Sequence, residues 1–426
     1  MAHLLMIESW VGGTGRILPE AITTRGHRYT FVTRNRRHYL EAKTREIHPV
    51  LEHAEHVLTA ETNQLQALTE FLRGQHELLH FDGVITICDY YVDAVAHVAK
   101  ALGLPQAFPA SIGLERRKHL VRQALDRAGL PNPAYAVTTS WPATREAAER
   151  IGYPVVVKPP DLASSAFVRL VKDERELHDA FSSLERFSTN FREQAREPLW
   201  LLEEFMAGDE VSVEACTFQG ETTVIGITDK SLTGFPYFIE DGHMFPARLD
   251  APTTEAVTAL VRGALDAVGH DHGISHTEVK LTPDGPRIVE INPRPGGNYI
   301  VELVERVTGI DLLAAQIDLA LGCAPSLARK STGVASAAIA FLVPPRAGHV
   351  ASVAGADTLP GDSHVARWTL NAIAGTDVAA PVDNACYQGH VVAVDPDGLD
   401  ARRYAERALR RVMLTYADAP ALAIAP

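Results

Sequence analysis

Short apolar runs alternate with amphipathic stretches along the first hundred or so residues. HLLMIES, YTFVTRN, GVITICD and the region of Gln106-Ala107-Phe108 read as strands, while 64–74 and 91–102 carry apolar residues at helical spacing. This alternation predicts a βαβ unit with a mostly parallel sheet over 1–112. A helix predicted over 114–129 (LERRKHLVRQALDRAG) ends at Gly129 and is stopped by Leu130-Pro131-Asn132-Pro133. A second strand–helix region runs from 135 to about 203 and holds YPVVVKPPDLASSAFVRLV. The strands LWLLEEFM and EVSVEACTF then flank Gly208, and 300–322 reads as one helix. From Thr332 to Met413 comes a third unit, with strands SAAIAFLV and GHVVAVD, a closing helix over 400–414 and a frayed Ala/Pro-rich tail. The expected class is α/β, with α+β character in the middle, and no internal repeat. Three domains are expected: 1–112, 113–330 with a lid subdomain over about 130–203, and 331–426.

The sharpest pattern is HTEVKLTPDGPRIVEINPRPGGN, residues 276–298. Pro283-Asp284-Gly285 suits a three-residue hairpin loop with the glycine left-handed. That loop pairs Thr282 with Pro286, Lys280 with Ile288, Glu278 with Glu290 and His276 with Asn292. Val279, Leu281, Val289 and Ile291 then share the opposite, apolar face. Two facing carboxylates about 5 Å apart repel one another. A divalent cation removes the conflict, and with the amide oxygen of Asn292 the ligand set is all oxygen, which suits Mg²⁺ or Mn²⁺ rather than zinc. The plainer alternative is a solvated hairpin with its charges in water. Against it, Arg294 and Gly296-Gly297 follow at once, and a guanidinium with exposed backbone amides suits a phosphate.

Composition narrows the partners. A formal net charge of -13 over 426 residues argues against nucleic acid or an anionic membrane. Cys88, Cys216, Cys323 and Cys386 are scattered without a CxxC pair, as expected of reduced thiols and no structural zinc. The start, MAHLLMIESWVGG, lacks a basic flank and reads as a first strand rather than a signal peptide. No apolar run approaches the roughly 18 residues of a membrane span, so a cytoplasmic protein is expected. The turn Gly12-Gly13-Thr14-Gly15 fails the GxGxxG pattern because position 18 is Leu18. It reads instead as a tight turn at the carboxyl edge of a sheet, a common place for a small ligand.

Taken in order, these segments resemble the ATP-grasp carboxylate–amine ligases, and most of all the bacterial L-amino-acid ligases, which join amino acids into dipeptides. The resemblance covers nearly the whole chain and implies an ATP-grasp fold, with a Rossmann-like N-terminal domain and a C-terminal lobe. It implies that Glu278, Glu290 and Asn292 bind Mg²⁺ (or Mn²⁺) bridging the ATP phosphates, with Arg294 on the γ-phosphate and the developing intermediate. Lys118, in ERRKHLVRQALDRAGLPNP, and Lys158, ending YPVVVK, would hold the triphosphate. The phosphate-covering loop is glycine-rich in the family; here it is DLASSAFV, with Ser164 and Ser165 as substitute donors. The hinge Glu203-Glu204-Phe205-Met206 would hold adenine through backbone groups of Glu204–Met206, and Glu210, seven residues after Glu203, the ribose.

TDKSLTGFPYFIEDGHMFPARL (228–249) reads as a structured loop over a pocket, with Lys230 near Glu240 and His243. The resemblance has Glu240 and His243 face the substrate amine. Arg294, Gly296, Gly297 and Asn298 would border the donor, Asn298 helping to set its size. His276 fits a supporting or core role. The implied reaction activates one amino acid as an acyl phosphate, joins it to the amine of another, and releases ADP and phosphate. The implied partners are small amino acids, with no nucleic acid and no membrane, and a homodimer is compatible. Two alternatives stand beside it: an ATP-grasp ligase with a larger acyl donor or a carboxylase-like reaction, and a catalytically inactive ATP-binding regulator.

Overall fold

Four parallel strands open the chain, in the order His56–Thr59, Arg28–Thr33, His3–Ile7, Gly83–Ile85. The computed structural model describes residues 1–40 and 47–417, so most of the expected frayed tail lies outside the described residues. The strand expected near Gln106-Ala107-Phe108 does not form. Ala107 and Phe108 are buried, but Pro105 and Pro109 flank them, and proline cannot donate to a ladder. His56–Thr59 supplies the fourth strand instead, at an edge where its half-exposed side chains give little pattern.

The helix expected over 114–129 is two helices, Ile112–Glu115 and Lys118–Arg127. Arg117 is extended between them, and the Lys118 amide donates to the Pro160 carbonyl rather than to a preceding turn. The break brings Lys118 to the loop that follows Lys158. The lid is a four-stranded sheet, Tyr135–Thr138, Trp200–Glu204, Val155–Lys158 and Arg169–Val171, backed by the helices Trp141–Ile151 and Glu174–Glu185.

An eight-stranded antiparallel sheet carries most of the rest, in the order Gly285–Asn292, Gly273–Thr282, Asp209–Phe218, Glu221–Thr233, Ile239–Phe245, Ser336–Phe341, Gly389–Asp395, Val365–Leu370, beside a small sheet of Asp377–Val378, Gly348–Ala354 and Met413–Tyr416. One of its faces packs Val211, Val213, Val279, Ile288 and Ile291 against Val257, Val261 and Leu265 of the helix Ala251–Val268. Each such buried aliphatic side chain contributes roughly 1.5–3 kcal/mol. Four expectations change here. Residues 228–249 are largely two paired strands rather than a loop; the tip, 234–238, and the end, 246–249, are irregular, and the tip bonds to the lid through Leu170 and Pro236. The third unit shares this sheet, since Ile239–Phe245 pairs with Ser336–Phe341 across the expected boundary at 330/331. Residues 300–322 form two helices, Ile300–Thr308 and Leu312–Ala320, separated at Gly309 with φ 68°. The closing helix is shorter than expected, Ala401–Leu409, and a strand Met413–Tyr416 follows it.

The hairpin also departs from expectation in an instructive way. Thr282 pairs with Gly285, so the turn has two residues, Pro283 and Asp284, rather than three. A β-bulge between Glu278 and Val279, with Val289 the extra residue opposite, absorbs the slip. Below the bulge Glu278 faces Glu290 and His276 faces Asn292, as the longer loop would have placed them. Above it the partners shift: Ile288 takes the core position expected of Val289, and Val289 turns to the other face.

Candidate active site

Three neighbouring rows on the open face of the large sheet carry most of its charge. In one row Lys280, Glu210, Lys230 and His243 sit side by side on four adjacent strands. In the next, Glu290, Glu278 and Ser212 follow one another; in the third, Asn292, His276 and Glu214. Side-chain alternation puts these residues opposite the apolar face that holds the helix Ala251–Val268. The candidate residues, except His243 and Gly296, line one cavity of about 1050 Å³ between this face, the lid and the N-terminal sheet.

At the lid end the Lys118 ammonium lies 2.8 Å from Glu290 and donates to the Leu162 carbonyl at 2.7 Å. Lys158 is 2.6 Å from Glu203, whose other oxygen is 2.6 Å from Arg122. Burial alone would raise the Glu203 pKa, but the charges of Arg122 and Lys158 bring it down to about 2. Burial lowers the pKa of Lys158, and Glu203, shared with Arg122, does not fully offset it. Glu203 is therefore an anchor for two cations rather than a free hinge carboxylate. Glu204 bonds Arg287 and the Ala134 amide, while Phe205 and Met206 border the cavity beside it. The two oxygens of Glu210 are engaged by Lys230 at 3.0 Å and Lys280 at 3.3 Å.

The glycine-free loop takes a glycine-like path. Ser164, Ser165 and Phe167 have φ of 62°, 55° and 59°, a left-handed conformation that costs a side-chain-bearing residue roughly 1–2 kcal/mol. The loop is tied down from both sides: the Ala163 amide donates to the Tyr90 hydroxyl, and the Asn384 amide to the Ser164 carbonyl.

In the middle of the wall Lys230 is within 2.8–3.0 Å of Glu278, Glu240 and Glu210. Burial opposes its charge, yet the three carboxylates hold its pKa well above the ordinary lysine value. Glu240 accepts from Asn298 at 2.6 Å and lies 3.3 Å from His243. Although burial opposes it, Lys230 and then His243 hold Glu240 well below the usual carboxylate range. His243 is a correction to the sequence reading: it is fully buried behind Glu240, edge-on to Phe341, and does not reach the cavity. Gly296 is another. A side chain there would come within 3.0 Å of Glu214 and 3.1 Å of Ile300, so this glycine serves close packing and not the cavity wall. His276 bridges Glu214 at 2.7 Å and Glu278 at 3.4 Å; against the effect of burial, these two carboxylates raise its pKa to about 9.

The facing carboxylates are thus each matched to a lysine, Glu278 with Lys230 and Glu290 with Lys118. Repulsion across the hairpin does not by itself require a metal, which corrects that step of the sequence argument. The donor set nonetheless fits Mg²⁺: two carboxylates and an amide, all oxygen, give a partial shell of the kind that phosphate oxygens and water complete. Arg294 is fixed by Asp89 at 2.7 Å, and Asp89 accepts from the Trp10 indole at 2.9 Å. Burial would lower the Arg294 pKa, and the Asp89 charge raises it.

Three residues of this site escaped the sequence reading. Arg122, 1 % exposed, also donates to the Ile288 and Val289 carbonyls at 2.7 and 3.1 Å, bracing the bulge beside Glu290. Lys230 stands out in the sequence only as a neighbour of Glu240 and His243. Asp89 ends GVITICD at the carboxyl edge of the first sheet, a position that itself marks ligand sites.

Comparison with known proteins identifies the domains. The ATP-grasp domain model matches residues 151–302, the ATP-grasp N-terminal domain model 20–106, and the model for L-amino acid ligase C-terminal domain 2 matches 340–417. The chain therefore belongs to the ATP-grasp superfamily, with the α/β fold that name implies. Its C-terminal part carries the domain described for L-amino acid ligases. The structure of L-amino acid ligase from Bacillus licheniformis superposes with a TM-score of 0.81 at 22% identity, covering 98% of this chain and 99% of the other. Carnosine synthase 1 of Homo sapiens is 33% identical over 61% of this chain and 33% of its own length. Alanine–anticapsin ligase of Bacillus subtilis (strain 168) is 27% identical over 57% of this chain and 54% of its own. The match thus spans about a third to a half of these two relatives. Among the described residues no helix is long and apolar enough to cross a membrane.

Proposed function

We propose that this chain is an ATP-dependent carbon–nitrogen ligase that joins the carboxylate of one amino acid to the amine of another and releases ADP and phosphate. The observation that carries the reading is a single cavity. Its wall holds an oxygen donor set (Glu278, Glu290, Asn292), Lys118, Lys158 and Arg294, and it continues past them to Trp10 and the Gly12-Gly13 turn. The names of similar proteins, an L-amino acid ligase, an alanine–anticapsin ligase and a carnosine synthase, support the same class.

A carboxylate at neutral pH is a poor electrophile, so the donor must be activated. In this reading the terminal phosphoryl group passes to the donor carboxylate, the acceptor amine attacks the acyl carbon, and phosphate departs. Glu278, Glu290 and Asn292 would hold Mg²⁺, which would supply neutralisation of phosphate charge. The chain contributes position and charge. Lys118 and Lys158 hold the phosphate chain from two sides, Arg294 is aimed by Asp89, and the loop 161–168 excludes water.

The test is a screen of amino-acid pairs for phosphate release, with mass spectrometry of the products. One or more pairs should yield a dipeptide with one ADP and one phosphate for each bond formed. AMP and pyrophosphate, or no pair that accelerates phosphate release, would overturn the proposal.

A further inference from the structure

Six lysine and arginine side chains reach the cavity wall: Arg16, Lys118, Lys158, Lys280, Arg294 and Arg367. Five are matched to a carboxylate within 3.3 Å, respectively Glu290, Glu203, Glu210, Asp89 and Glu302 for the last five. Arg16 alone has neither an ion pair nor a side-chain hydrogen bond among the described residues. A half-buried guanidinium has given up part of its hydration and gains most from a planar anion that takes two of its donors.

The fold holds Arg16 in place for such a ligand. It is the third residue of the helix Thr14–Thr24, whose first residue donates from Thr14 Oγ1 to the Gly296 carbonyl at 3.2 Å. A Cβ on Gly13 would lie 3.6 Å from the Asn298 amide, so the turn before the helix rests directly on the loop that follows Arg294. The wall next to Arg16 is apolar, with Trp10, Val11, Ile17 and Pro49. His48, close by, adds no charge at neutral pH: burial, and then the charge of Arg16, push its pKa down to about 4. This stretch therefore offers one unmatched positive charge in an apolar surround, away from the lid-end lysines.

The reaction proposed above leaves few anions for it. The donor carboxylate is consumed in the bond being made, and the phosphates belong with Lys118, Lys158 and the oxygen donor set. The acceptor's own carboxylate takes no part in the chemistry and persists throughout. We propose that Arg16 binds this spectator carboxylate, so that the acceptor is an amino acid with a free carboxylate, not a simple amine or an amino amide, and its side chain lies on Trp10, Val11 and Ile17. The inference rests on the ligase reading for the word acceptor, but the binding it asserts can be measured without turnover.

The experiment titrates the full chain calorimetrically, in the presence of Mg²⁺ and ADP, with the standard L-amino acids and with their amides. At least one amino acid should bind about 10- to 100-fold more tightly than its amide, the range expected for hydrogen bonds to a charged group. Arg16→Gln should lose that factor for the acid and no longer distinguish acid from amide, with nucleotide affinity unchanged. Arg16→Lys should fall between them. If wild type shows no acid-over-amide preference, or Arg16→Gln retains it, the proposal is overturned. If Arg16→Gln weakens aspartate and glutamate alone, the anion is a donor side chain and the assignment to the acceptor is equally overturned. Failure of the ligase reading shows separately, as absence of product in the screen above.

Discussion

Lys158 lines the cavity and Lys230 lies behind its carboxylates, both with their ammonium groups out of water, yet their surroundings act on them in opposite senses. Lys158 has one carboxylate, Glu203, and shares it with Arg122, so burial prevails and its pKa falls. Lys230 has three, Glu210, Glu240 and Glu278, and its pKa rises well above the ordinary value. The difference separates two tasks. Lys230 neutralises carboxylates gathered from three strands and leaves little charge for a ligand. Lys158 has charge to spare for one, and an arriving phosphate would hold it protonated.

Removing each lysine should break the wall differently. Lys230→Met leaves three carboxylates around an uncharged side chain, and loss of a buried partner of this kind costs about 3–5 kcal/mol. Urea unfolding of the purified variant should show a drop of that size. A drop below about 1 kcal/mol would mean that Glu210, Glu240 and Glu278 do not depend on Lys230. Lys158→Met leaves Glu203 still bound to Arg122, so its stability cost should be smaller, about 1–2 kcal/mol. Turnover should instead fall about 10²- to 10³-fold, as for other lost charge-stabilising donors. If Lys158→Met were the more destabilising of the two, the division of tasks would be wrong.

The single carboxylate beside Lys158 sharpens the contrast through pH. The pKa of Glu203 is lowered from 4.5 to about 2 in the folded chain. A depressed folded-state pKa means stability that is present above about 4.5 and is lost as pH falls through about 2. The whole contribution is on the order of 3 kcal/mol, of which about 2 kcal/mol should be gone by pH 3. Glu203→Gln should therefore be much closer to wild type in urea midpoint at pH 3 than at pH 7. Equal penalties at both pH values would show that Glu203 does not ionise as an anchor for Arg122 and Lys158.

How much of this was legible beforehand depended on whether the signal lay in one stretch of chain. The hairpin 276–298 was readable because apolar and polar residues alternate on both sides of one turn, and that alternation placed Glu278 opposite Glu290. Its turn was misjudged because Pro-Asp-Gly suits loops of two or three residues, and nothing in the pattern marks a bulge at Val289. The path of the loop 161–168 was hidden because Ser164, Ser165 and Phe167 hold positive φ without the glycines that signal it. Residues 228–249 looked like a loop because Gly234, Pro236 and Pro246 interrupt what are two ladder strands. The Lys230 cluster was out of reach for a different reason. Its carboxylates come from positions 210, 240 and 278, and only the order of strands in the sheet brings them together. Arg122 reads as an ordinary helix residue in HLVRQAL, and only burial among Glu203 and the bulge carbonyls reveals its task.

The smallest effect on stability is expected at Glu290, and it carries the comparison to the metal ligands. Its side chain is 24% exposed and its partner Lys118 is 9% exposed, so this pair is closer to solvent than either lysine cluster. An ion pair at such a position contributes about 0–1 kcal/mol. Glu290→Gln keeps the shape and leaves Lys118 its bond to the Leu162 carbonyl, so urea unfolding without ligand should change by no more than that. The consequence should appear only with ligand. A ligand that binds the folded state stabilises it by an amount set by the ratio of its concentration to its Kd. With a non-hydrolysable ATP analogue, adding Mg²⁺ should raise the melting temperature of wild type further than the analogue does alone. In Glu290→Gln that extra increment should be lost. A variant that keeps the full Mg²⁺-dependent increment would remove Glu290 from the cation site, and with it the reason for reading the facing carboxylates as metal ligands rather than as partners for two lysines.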